Sequence, residues 1–183
     1  MPVSDSEVRV DVGLGELILG GAGLVQITAF GVPWPKEYRP LFERWAPQGS
    51  RLISPNLLHA LAWHESRFNP AAVGAVNSNG TRDYGLMQIN SVNLAPNGLT
   101  PYTALTDVNG NVRAAVAVLQ DGEGNAKGLP DLISIYNAGQ AQGGGPKKRG
   151  DGSYVNADYV SDVYGKWLLV TVASFAPYKR GTV

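Results

Sequence analysis

The sequence contains no cysteine and only two histidines. Disulfides, thiolate metal centres and cysteine nucleophiles are excluded together, and no metal site is expected from what remains. Charge is scarce and balanced: charged residues make up 16% of the chain, with 15 Lys and Arg against 15 Asp and Glu. There is no basic excess of the kind that holds a protein to nucleic acid, so no nucleic-acid partner is expected. Long apolar runs are missing as well. The most apolar stretch near the start, LGELILGGAGLVQITAFG (14–31), is broken by Glu16 and by repeated glycines. A spanning helix needs about 20 mostly apolar residues, so no transmembrane segment is read there. The opening MPVSDSEVRVDVG carries acids and no basic lead-in to an apolar core, so a Sec signal peptide is not expected.

What is present is glycine (23) and proline (12), which implies many loops, within 183 residues, enough for one domain with a substantial core and an appendage. Val8 to Val12 alternates at period two, a strand pattern, and the apolar pieces between Leu14 and Ile27 read as further strand or extended structure. GVPWPKEYRP then interrupts regular structure with three prolines. Residues 1–35 are therefore expected to form an N-terminal extended or β arm, a possible docking element. Residues 36–183 are expected to form the main domain.

From Tyr38 the texture turns helical. YRPLFERWA is a short amphipathic stretch, and SPNLLHALAWHESRF is stronger. Ser54 suits an N-cap and Pro55 the first helical position. Leu58, Leu61, Ala62 and Glu65 fall at three- and four-residue intervals and share one face, with Asn69-Pro70 expected to stop the helix. Further helices are expected over 108–120, over 129–139 and through ADYVSDVYGKWLLVTVASF. GQAQGGGPKKRGDGS (139–153) reads as a flexible surface loop with a solvated basic patch. The two histidines, His59 and His64, read as helix-surface or groove-edge residues.

Several apparent motifs dissolve on inspection. DVNGN (107–111) lacks the glycine and glutamate of a calcium loop, with Val112 and Val118 in their places, and reads as a cap or turn. Ser66 sits in no G-x-S-x-G elbow, and no glycine spacing fits a dinucleotide fingerprint.

Glu65 is different. The helix directs its carboxylate toward the core side, where desolvation disfavours the charged form, and the nearby helix C-terminus adds to that. Both raise its pKa, as a proton donor near neutral pH requires. Spacing alone also fits an exposed acid in a last turn. The motif context changes the balance: HESRFNP, then GLMQINS, then YNAG, then YVSDV occur in this order. That set resembles the lytic transglycosylase (SLT) family of the lysozyme superfamily, in its small phage and secretion-machine flavour. The resemblance implies a lysozyme-like α+β domain, mainly α, that cleaves the MurNAc–GlcNAc β-1,4 bond of peptidoglycan glycan strands without a cofactor, leaving 1,6-anhydro-MurNAc ends.

Residue by residue, Glu65 matches the catalytic acid and base and Ser66 the serine beside it. Gly85, Leu86, Met87 and Gln88 match a strip along the glycan groove. Tyr136 and Asn137 match residues that hydrogen-bond near the acid and the sugar, and Tyr159 matches a late aromatic on the groove wall. Val155 departs from the family, which often has an acid four residues before that tyrosine. On chemistry, Gly85 permits close approach, Met87 offers an adaptable apolar wall, and Gln88 and Asn90 supply donors and acceptors for N-acetyl and hydroxyl groups.

NSNGTRDYGLMQINS also resembles animal-type lysozymes, in which Asp83 would be a possible second carboxylate for hydrolysis. Asp83 has a turn-capping explanation too. Hydrolytic muramidase is thus one alternative, and a non-catalytic peptidoglycan-binding structural component another. The resemblance further implies a virion-associated enzyme acting on the host periplasmic cell wall. The arm would contact phage tail or secretion-apparatus proteins.

Overall fold

The computed structural model describes residues 8–11, 16–19, 25–27, 32–138 and 145–175. Two compact units are present: Trp34–Trp167, and a second that groups the N-terminal strands with the chain from Leu168 onward. The strands are β1 (Val8–Asp11), β2 (Glu16–Leu19) and β3 (Val25–Ile27), an antiparallel meander in the order β1-β2-β3. Its register places Val10 opposite Leu17 and Leu17 opposite Ile27. The remainder of the expected extended stretch up to Ile27 lies outside the described residues.

The larger unit is mainly helical, which makes the chain α+β with α dominant. It holds α1 (Arg39–Trp45), α2 (Pro55–Ser66), α3 (Pro101–Thr106), α4 (Val108–Glu123) and α5 (Leu129–Asn137). The long α6 (Ala157–Phe175) starts there too. Between α2 and α3 lies a short hairpin of β4 (Asp83–Tyr84) and β5 (Ile89–Asn90), antiparallel with Asp83 opposite Asn90.

α2 is the axis of this unit. Ser54 caps it by accepting from the Leu57 N–H at 3.2 Å, and Pro55 takes the first turn, as its sequence implies. Its middle is buried on every side, not along one stripe: all six residues from Leu57 to Ala62 are buried. His59 is therefore not a surface residue. It is 1% exposed, its ring 4.9 Å from Trp34 and edge-on to Phe42 and Phe68 at 6.0 and 5.0 Å. α2 also ends earlier than Asn69-Pro70. Arg67 and Phe68 take left-handed backbone angles (φ 52° and 63°), and the Phe68 N–H returns to the Ala62 carbonyl.

α4 begins as its sequence suggests, with Asp107 accepting from the Gly110 N–H at 2.8 Å. One turn on, Asn111 is fully buried. Its Nδ2 donates to the carbonyls of Tyr84 (3.0 Å) and Ala104 (3.1 Å), and its Oδ1 accepts from the Met87 N–H (2.8 Å). One amide thus satisfies three backbone groups of the turn between β4 and β5 and of the end of α3. Gly85 lies against it with φ +82°, and a Cβ there would meet the Ala104 carbonyl at 2.3 Å and Asn111 Nδ2 at 2.4 Å. The close approach that requires glycine is to the protein's own α3–α4 corner.

The loop before α6 is pinned where it is described. Lys148 pairs with buried Asp131 at 2.9 Å, 4.7 Å over the Tyr154 ring, and Arg149 donates to the carbonyls of Tyr154 (2.5 Å) and Val155 (3.3 Å). Two of its three cations thus have partners in the fold, and all three are exposed to solvent, as the sequence implies. Gly139 and the rest of the loop up to residue 144 lie outside the described residues.

Replacing Asn111 with Ala strands three backbone polar groups and opens a void. A loss of roughly 3 kcal/mol or more in urea unfolding is expected. A loss below about 1 kcal/mol would show that the turn does not lean on this amide.

Candidate active site

α2 brings Glu65 out of the core at its last turn, one residue before the helix ends. A groove of about 350 Å³ opens there, lined by Glu65 on one side, by Asp83, Gln88 and Asn90 of the hairpin, and by Tyr136, Asn137 and Ala138 at the end of α5. The loop residues Asn77, Ser78, Asn79 and Thr81 complete its polar rim.

The Glu65 carboxyl is largely withdrawn from water, and burial pushes its pKa from 4.5 to about 7. The Tyr159 hydroxyl opposes this by donating to Glu65 Oε1, and the charge of Asp83 adds to the rise. Tyr159 is itself raised well above the usual phenol range, chiefly by burial and then by the Glu65 charge, so it stays a donor. Its ring meets His64 edge-on at 4.6 Å, and His64 Nδ1 lies 2.5 Å from Asp162 of α6. Lys166 holds the same carboxylate from one turn on. Two adjacent pairs, Glu65–Tyr159 and His64–Asp162, thus clamp the end of α2 to the start of α6. His64 is partly exposed beside Glu65, but it is not among the residues that line the groove.

Asp83 faces the same groove but is engaged within the hairpin. Its two oxygens accept from Asn90 Nδ2 (2.8 Å) and Asn77 Nδ2 (3.3 Å). Asn90 gives its second N–H to Thr81 Oγ1 (3.0 Å), and its Oδ1 accepts from the Val92 N–H (3.2 Å). That amide has no donor left to offer a sugar. Gln88, in a left-handed conformation (φ 47°), spends both N–H groups on the carbonyls of Ala72 (3.2 Å) and Gly85 (2.8 Å). Only its oxygen remains.

The neighbouring expectations resolve similarly. Leu86 and Met87 are fully buried, so their side chains form core beneath the groove and not its wall. Ser66 donates to the Leu86 carbonyl at 2.7 Å, tying the strip to α2. The Tyr136 hydroxyl donates to the Met87 carbonyl at 2.7 Å, and Tyr136 is pushed far above the usual phenol range by burial, with the Glu65 and Asp83 charges adding. Val155, where an acid was missed, is half-exposed, and Asn156 beside it bonds to Ser134 and Asn137 instead.

Two contributors lacked a motif. Asn111 lies on the buried face of α4 with Val112, Ala115 and Leu119, and a polar residue inside an apolar stripe was its signal. Asn156 gave none. Among the described residues, no cluster of three or more metal-binding side chains is present.

Comparison with known proteins decides the family. Residues 45–153 match the family described as Transglycosylase SLT domain, a span that holds Glu65, Asp83 and the whole hairpin. The chain belongs to that family. It is accordingly an enzyme, a lytic transglycosylase acting on peptidoglycan. This SLT chain is 32% identical over 139 residues to Protein IpgF of Shigella flexneri, covering 71% of this chain and 82% of that protein. Protein IpgF of Shigella sonnei matches with the same identity and coverage. A shorter likeness, 61% over 31 residues, links it to Lysozyme 2 of Lucilia sericata, covering 17% of this chain and 22% of that protein.

The raised pKa of Glu65 carries a sign for stability. The folded state holds this proton more tightly than the unfolded chain, so its contribution is most favourable below pH 4.5 and is lost as pH rises to about 7. A shift of that size corresponds to about 3 kcal/mol. Glu65→Gln is therefore expected to be more stable than the parent at pH 8, by roughly 1–3 kcal/mol, and closer to it at pH 4.5 in urea unfolding. Equal differences at both pH values would contradict the burial of this carboxyl.

Proposed function

We propose that Glu65 acts as the single acid and base of a non-hydrolytic cleavage at the MurNAc–GlcNAc β-1,4 bond. What carries this reading is one carboxyl, kept protonable near neutrality by burial and oriented by the Tyr159 hydroxyl, on one side of a polar groove. In the first step Glu65 gives its proton to the glycosidic oxygen while the bond from that oxygen to C1 of MurNAc breaks. In the second, the Glu65 carboxylate takes the proton of the same sugar's C6 hydroxyl as that oxygen closes onto C1. The acid is regenerated, no water is consumed, and a 1,6-anhydro end results.

Asp83 is assigned an orienting role. Its two oxygens are engaged by asparagine amides, and it holds the hairpin that forms the opposite wall. Its charge also helps keep Glu65 protonated. Because Asp83 does line the groove, hydrolysis with Asp83 as the second carboxylate is the competing reading. The non-catalytic alternative yields to family membership and to the retained acid.

For its setting we propose a machine that crosses the cell wall, a phage virion first and a secretion apparatus second. The arm containing β1–β3 would serve as the mount. The motif resemblance and the grouping of those strands apart from the groove-bearing unit support this reading. Recovery of the protein from purified virions would favour it, and its absence from them would remove the virion reading.

Glu65→Gln is expected to lower peptidoglycan cleavage by at least about a thousandfold, since it removes both proton transfers. Mass spectra of digested sacculi are expected to show anhydro-muramic ends. Reducing ends alone would move the assignment to hydrolysis through Asp83.

A further inference from the structure

Asn156 precedes α6 and faces the end of α5. Its Nδ2 donates to the Ser134 carbonyl (3.2 Å) and to Asn137 Oδ1 (2.8 Å), while its Oδ1 accepts from Ser134 Oγ (2.8 Å). A carbonyl can only accept, and Ser134 is fully buried, so the orientation of the Asn156 amide is dictated from within the fold. Turned over, Asn156 would set its oxygen against two other oxygens. Asn137 must therefore offer its own oxygen to Asn156, which leaves its NH2 group for the groove that Asn137 lines.

This matters because three other amides around the groove are already committed. Asn77, Gln88 and Asn90 each give both N–H groups to protein acceptors. No described residue takes Nδ2 of Asn137. Position 137 is thus a preset donor beside Glu65 and Tyr136, with nothing to rotate it into an acceptor.

We infer that Asn156 is a positioning residue that fixes the polarity of Asn137, and that this donor engages the acetamido carbonyl of a glycan sugar. A donor set in this way favours strands with intact N-acetyl groups. It disfavours N-deacetylated strands, whose ammonium would present a donor to a donor. The inference rests on the proposed function of the same groove, and it specifies what one wall of that groove reads.

The test compares Asn156→Asp, Asn156→Ala and Asn137→Ala on soluble strands freed of stem peptide, both fully N-acetylated and partly N-deacetylated, and on strands that retain the peptide. The carboxylate introduced by Asn156→Asp cannot donate, so Asn137 must turn its NH2 toward it and show an oxygen to the groove. For Asn156→Asp, KM on acetylated strands is expected to rise on the order of tenfold with kcat within about threefold, the loss of one well-placed hydrogen bond. Discrimination against deacetylated strands is expected to shrink by a similar factor. Asn156→Ala, which frees Asn137 to turn either way, is expected to fall between, and it serves if the aspartate variant folds poorly. On an Asn137→Ala background neither change should alter KM further.

An unchanged KM in both variants would overturn the inference, and so would an equal loss on the Asn137→Ala background. If the loss is confined to strands that carry stem peptides, the acceptor belongs to the peptide and the acetamido assignment is wrong. Glu65→Gln in the same assay separates the two levels. If it remains active, the proposed function fails. If it is dead while Asn156→Asp behaves as the parent, only this inference falls.

Discussion

The carboxyl of Glu65 is held out of water by the same packing that buries the middle of α2, and the remaining features of the site follow from that constraint. The helix is buried from Leu57 to Ala62 and emerges only at its final turn, where Glu65 meets the Tyr159 hydroxyl. Burial raises the proton affinity, the Tyr159 hydroxyl restrains the rise, and the charge of Asp83 adds to it. The outcome lies near neutrality, where a group can both give and recover a proton. The fold is less stable at neutral pH for keeping this acid, a cost typical of residues retained for chemistry.

Neutral amides do most of the construction around that acid. Asn111 holds the turn beneath the groove, Asn77 and Asn90 steady Asp83, and Asn156 orients Asn137. An amide carries donors and acceptors together, so it can satisfy backbone and side-chain groups without adding a charge that would displace the titration of Glu65. The low charge of the chain fits this design. Near the site, Asp162 is held by His64 and Lys166, while Asp83 is held by amides alone.

Much of this was legible in the sequence. Ser54 and Pro55 announced the start of α2, the period-two stretch announced β1, and the ordered motifs pointed to Glu65 and to the family. What escaped depended on partners distant in sequence. Gln88 and Asn90 have the right chemistry for a sugar, but backbone carbonyls and Asp83 take their hydrogens first. Met87 turns inward because the turn hangs on Asn111, 24 residues on. Exposed Lys148 has a partner in buried Asp131 that no local pattern announces, and His59 looked superficial until three aromatic rings enclosed it. Local pattern reports periodicity and caps well; it does not report which polar groups already have partners.

The most direct measurement of the central claim is the titration of Glu65 itself, followed through its side-chain carboxyl carbon by NMR in the protein without substrate. A midpoint near pH 7 is expected, about 2.5 units above an ordinary glutamate. A midpoint near 4.5 would mean that the carboxyl is solvated and charged at neutral pH, and the assignment of Glu65 as proton donor would fail with it.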